Sequence, residues 1–224
     1  MNNVFLSMSK SSFITFRWLC ESFNICTEDI KVKMVSTTLS GQFSYALMMS
    51  IMGGVVFSFP YIFYQLWAFV KPGLKQKEKS MASGLVFYVS LLFFTGIAFG
   101  YFVVAPLCVQ FFALFSISKE IENLPTISSY MSLILSTVFY TGLLFLLPIV
   151  SYLMAKLGIV TASFLRKYRK HAIVGVLILA AIITPPDLLS QVIVSIPILM
   201  LYEIGILVVV RVERNRRKQE ESQK

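Results

Sequence analysis

Phe59-Pro60-Tyr61-Ile62-Phe63-Tyr64-Gln65-Leu66-Trp67-Ala68-Phe69-Val70 runs directly into Lys71-Pro72-Gly73-Leu74-Lys75-Gln76-Lys77-Glu78-Lys79. The first part is uncharged and rich in aromatic rings. Tyr61, Tyr64 and Trp67 each join an apolar ring to one polar atom, which suits the boundary between membrane and water. Pro72-Gly73 stops the helix, because proline lacks the amide donor and glycine permits a reversal. The second part holds four lysines around a single carboxylate, Glu78. The whole reads as a transmembrane helix that delivers a short basic recognition loop to the cytoplasmic surface.

The rest of the chain agrees. Of 224 residues, 57% are hydrophobic and 14% charged, against about a quarter charged in soluble domains; the mean hydropathy is +0.77. This is the composition of a multi-span membrane protein, with no room for a soluble domain. The net charge of +9 sits in blocks beside apolar runs, as membrane topology demands, so it is not read as a nucleic-acid surface. No phosphate-binding glycine loop, no catalytic Ser/His/Asp set and no metal-ligand cluster is present. The chain is therefore read as a non-enzyme without cofactor or metal. Cys108 lies in an apolar run and is expected to be buried; Cys20 and Cys26 lie close together near the N-terminus, where an oxidising compartment would let them pair.

Apolar runs predict five spans at about 42–70, 84–105, 131–155, 171–184 and 189–210. The first is longer than the roughly 30 Å hydrocarbon core requires, and Gly53-Gly54 and Pro60 favour a bend in it. The fourth, at about 1.5 Å per residue, reaches only about 21 Å. Thr161 or Ser163 is a candidate cap for a short interfacial helix through Lys170, and Gly158 for the end of the third span. Between the spans the net charge alternates: +3 over 71–79, −1 over 116–129, +5 over 156–170, −1 over 184–188 and +3 over 211–224. The positive segments and the C-terminus are assigned to the cytoplasm. Residues 1–41 then form an extracytoplasmic N-terminal segment, 42–210 the membrane domain and 211–224 a cytoplasmic tail. A charged segment outside the membrane, with no upstream apolar run, predicts a six-span architecture whose first helix is absent from this sequence.

Several stretches resemble the TatC family, the multi-span core of the twin-arginine protein translocase. They are Phe59–Phe69 with Pro72-Gly73-Leu74 and Glu78; Phe99-Gly100-Tyr101-Phe102 with Pro106-Leu107; Arg166-Lys167-Tyr168-Arg169; Thr184-Pro185-Pro186-Asp187 with Ser190-Gln191; and Leu201-Tyr202-Glu203-Ile204-Gly205. The five occur in family order. The resemblance implies an all-α, cup-shaped scaffold in the bacterial cytoplasmic (inner) membrane. It also implies binding of the twin-arginine signal peptides of folded cargo, assembly with TatA- and TatB-type single-span partners, self-association, and export driven by the proton-motive force. The sequence departs from the family in lacking its Leu-Glu-Glu-Leu-Arg-like opening segment. It also carries Leu146 before Pro148 where the family commonly has Glu or Gln.

Among individual residues, Glu78 read alone is a solvated loop charge. The resemblance assigns it, with Pro72, Gly73 and Leu74, to signal-peptide binding, and a carboxylate can accept two parallel hydrogen bonds from a guanidinium. Glu203 lies about 10 Å inside the cytoplasmic end of its span, where a charge faces a protein interior or a wet cavity. From the residues it is either a structural bond to a neighbouring helix or a functional group; the resemblance assigns it and Gln191 to contacts with partner subunits. Asp187 is expected to cap the last span beside Pro185 and Pro186. Pro60, Pro106, Pro148 and Pro197 are expected to bend helices. Two rival readings stand beside the receptor: a structural, non-translocating remnant, and a small secondary transporter using Glu203 and Asp187.

Overall fold

A computed structural model of the chain describes residues 35, 40–70, 82–115, 125–156, 158–184 and 188–221. Among them the fold is all-α. Helix α1, Gly41–Val70, is uninterrupted although Pro60 lies within it. Helix α2 is Ala82–Phe99, and it passes through a π-helical turn, Gly100–Val104, into α3, Ala105–Leu114. Pro106 explains the wide turn. Its ring crowds the carbonyl of the preceding turn and it offers no N–H. One loosened turn ahead of it, closed by Ala105 N–H donating to the Gly100 carbonyl, places the proline at the start of a fresh segment. Gly84–Ala113 thus forms one 30-residue apolar run.

Helix α4, Ile127–Leu144, is capped by Thr126, whose hydroxyl accepts from Ser129 N–H at 3.2 Å. Phe145 and Leu146 break it before α5, Leu147–Lys156. There the Leu146 carbonyl accepts from the amides of Ile149 and Val150 at 2.9 and 3.0 Å, so Pro148 sits in a first turn that needs no donor from it. After α5, Gly158 adopts φ 77°, a conformation that favours glycine, and its amide donates to the Ala155 carbonyl. Helix α6 is Ala162–Lys167, capped by Thr161 as expected; α7 is Arg169–Ile183. Helix α8, Leu188–Glu221, contains Pro197 and continues through residues 211–221.

Among the described residues, four helical runs are long and apolar enough to cross a membrane: Gly41–Phe69, Gly84–Ala113, Ile127–Lys156 and Gln191–Asn215. Helix α7 has 15 residues, about 22 Å, short of the roughly 30 Å core.

Packing follows from small residues. Lipid tails are as apolar as leucine, so membrane helices associate where backbones approach closely. Gly96 and Gly100, four apart on one face, meet α4 at Gly142 and Val138: a Cβ on Gly96 would lie 2.7 Å from Phe145 Cβ and 2.9 Å from Gly142 Cα. Phe93 is fully buried beside this seam and stacks on Phe59 of α1 at 3.7 Å between centroids. Cys108 is buried as expected, with Val104, Val194 and Ile198 in the same cluster. An isolated bridge joins Val35 to Thr126, tying the chain just before α1 to the start of α4.

Candidate functional site

Helix α8 carries polar residues at intervals along an otherwise apolar run. Four of them reach α6 and α7, Glu213 meeting the start of α6 and Gln191 the interior of α7. Glu213 Oε1 accepts from Ala162 N–H at 2.9 Å. Ala162 opens α6, where backbone donors have no helical partner and the dipole favours an anion. Tyr202 O–H donates to the Leu165 carbonyl at 2.9 Å, one of the unpaired acceptors at the other end of α6. Arg169 Nη2 donates to Glu203 Oε2 at 2.7 Å. Gln191 Nε2 donates to the Leu177 carbonyl at 3.1 Å. Helices α6 and α7 therefore run antiparallel to α8, fastened along its length, with Ala155, Ala162 and Val209 forming a small buried cluster beneath α6.

Glu203 thus has an intramolecular counter-ion. Both members stay about half exposed, 48% for the Arg169 side chain and 50% for that of Glu203. The carboxylate is neutralised at one oxygen and remains reachable. Gln191 is half-buried and spends one amide proton on α7. Leu146, half-buried at the α4–α5 break, offers no polar side chain there.

Trp67 is buried, 6% exposed, and its Nε1 has no hydrogen-bond partner among the described residues. Tyr61 and Tyr64 do face outward, 65% and 53% exposed, and Tyr61 Oη accepts from Gln65 Nε2 at 2.7 Å. The prolines do not act alike. Pro60 and Pro197 lie inside continuous helices, Pro106 follows a π turn, and Pro148 follows a break. Pro72, Gly73, Leu74 and Glu78 lie outside the described residues, as do Cys20, Cys26, Pro185, Pro186 and Asp187. Sequence reading missed Tyr202 and Glu213 as anchors of α6 and Arg169 as the partner of Glu203. Among the described residues no His, Cys, Asp and Glu groups cluster as metal ligands do.

The helices, their close glycine seam and the polar fastening of α8 define an integral membrane protein of several spans. Residues 3–197 match the family model for the Sec-independent protein translocase protein TatC, and the chain belongs to that family. It is 36% identical over 210 residues to the TatC protein of Blattabacterium sp. subsp. Periplaneta americana, covering 89% of this chain and 78% of that one. With TatC of Desulforapulum autotrophicum the identity is 40%, covering 78% and 64%, and with TatCy of Bacillus subtilis 41%, covering 69% and 61%. The chain therefore spans somewhat less than two thirds of the length of those last two relatives. A crystal structure of the twin-arginine translocase receptor TatC in DDM superposes with a TM-score of 0.67 at 29% identity, covering 92% of each chain.

Proposed function

We propose that the chain is a receptor subunit of a Sec-independent translocase, docking folded cargo by its twin-arginine signal peptide. The observation that carries this reading is the family match over residues 3–197. In this reading residues 71–79 face the cytoplasm. Glu78 accepts a guanidinium of the arginine pair, and Pro72, Gly73 and Leu74 hold the loop that presents it. Lysines around Glu78 discourage indiscriminate cation binding. The signal's apolar part lies along a concave helical wall in the bacterial inner membrane.

Single-span partners of the TatA and TatB types pack near Gln191 and Glu203. Physical support comes from the half-exposed Glu203: a charge so close to hydrocarbon is costly, and here it is kept neutral overall by Arg169 while one face stays open. A partner helix that bonds to Glu203 meets the pair, not a bare carboxylate. The C-terminus lies in the cytoplasm, in keeping with the alternation of loop charge.

Photocrosslinking from position 74 tests the signal site. A twin-arginine signal peptide should give an adduct that is lost when both arginines become lysine and weakened by Glu78→Ala. Equal adducts with Glu78→Ala would remove Glu78 from the site.

A further inference from the structure

We propose that the rim built by α6, the start of α7 and the end of the apolar part of α8 binds the phosphate headgroup of an anionic phospholipid. Among the described side chains, both carboxylates on this rim are already engaged: Glu203 with Arg169, and Glu213 with Ala162 N–H. Arg166, Lys167, Lys170, Arg211 and Arg214 are exposed, and among the described residues the salt bridge on this rim is that of Arg169 with Glu203. Glu213 stands between Arg211 and Arg214 in sequence, yet its hydrogen bond goes to the helix start and not to either guanidinium.

The cations stand on a fixed support, not on a loose basic tail. Helix α6 is held at both ends by Glu213 and Tyr202 and rests on Ala162 and Leu165 against Val209. Its outer face carries Phe164, 49% exposed, with its ring 4.5 Å from that of Tyr168; Tyr168 in turn lies 5.4 Å from His171. Aromatic rings beside cations mark the headgroup level of a bilayer. The neighbouring helix is the short one. At 15 residues α7 spans about 22 Å, a mismatch that a bilayer accommodates by thinning around the helix. Headgroups are drawn toward the rim at the place where unneutralised cations wait. The anion present at that depth is a lipid phosphate, and basic pockets between membrane helices on this side take such headgroups.

The test uses the full chain, purified and examined by native mass spectrometry with phosphatidylglycerol, with phosphatidylcholine of the same acyl chains, and with glycerol phosphate. Phosphatidylglycerol should be retained in preference to phosphatidylcholine. Each cation near the surface strengthens the attachment about fivefold. Arg166→Gln/Lys167→Gln/Lys170→Gln should therefore weaken it by roughly a hundredfold. Arg211→Gln/Arg214→Gln, on a different helix, should weaken it by roughly thirtyfold. Arg166→Lys/Arg211→Lys should retain it and show that the rim tolerates substitution. Equal retention of the two lipids, or undiminished phosphatidylglycerol binding by both neutralised variants, would overturn the proposal. Glycerol phosphate binding as tight as the lipid would also overturn it, in favour of a soluble phosphate site.

Discussion

Replacing Gly96 by alanine tests the close approach of α2 to α4. The new methyl would lie 2.7 Å from Phe145 Cβ, 2.8 Å from Phe145 Cγ and 2.9 Å from Gly142 Cα, where ordinary contact begins at 3.4 Å. Gly142 Cα is backbone and Phe145 Cβ is fixed to backbone, so rotamer change cannot relieve the clash; α2 and α4 must separate. Gly175 offers the matched control, since nothing lies within 4 Å of a Cβ built there. Alanine in either helix interior gains about 1 kcal/mol over glycine in propensity. The difference between the two variants therefore isolates the packing term, about 2 kcal/mol for one extra methyl in a filled seam. Widening the seam by a fraction of an ångström also forfeits roughly a quarter of the dispersion well for each contact across it. For a chain of this size about 2 kcal/mol corresponds to roughly 4–8 °C in Tm. Thermal unfolding in detergent, followed by tryptophan fluorescence, should place Gly96→Ala that far below Gly175→Ala. Equal transitions for the two variants would refute the close approach of α2 to α4.

Arg169→Gln should cost under about 1 kcal/mol in Tm-derived stability, because both partners are half exposed, whereas Arg169→Glu should cost more by setting like charges together; Arg169→Glu/Glu203→Arg should recover most of that loss in a double-mutant cycle. Tyr202→Phe removes the bond to the Leu165 carbonyl, about 1 kcal/mol. Faster hydrogen exchange over 162–168 with little change at α2 and α4 is the expected signature. Glu213→Ala should loosen the same segment from its other end, leaving Ala162 N–H without its acceptor, and the two effects should be less than additive if both act by releasing α6.

The sequence was most informative where apolar run length alone decides the outcome. The long helices fall on the apolar runs, α7 is as short as its 15 residues dictate, and Thr161 and Gly158 end or begin helices as their side chains and backbone freedom require. What escaped notice depends on residues far apart in the chain. Arg169 sits in a basic block and so read as a topology signal; nothing local links it to a carboxylate 34 positions on. Tyr202 and Glu213 likewise serve a helix that precedes them by 37 and 51 residues. Gly96 and Gly100 show a four-residue spacing in the sequence, but that spacing does not name Gly142 as the surface they meet. The ring chemistry of Trp67 does not reveal that helix packing buries it. The loop of Glu78 stands outside the described residues, so its assignment still rests on its resemblance to the family.

The wide turn at Gly100–Val104 holds one residue more than an ordinary helical turn. Deleting one residue there would let the segment wind as ordinary α-helix while everything from Ala105 to Leu114 kept close to its present orientation. Ala105, Leu107 and Val109 would stay turned toward Tyr130 and Ile134. A single-codon loss at this point is thus expected to be far less damaging than the same loss in the regular part of α2 or α4, where it would swing all that follows about the axis by about 100°.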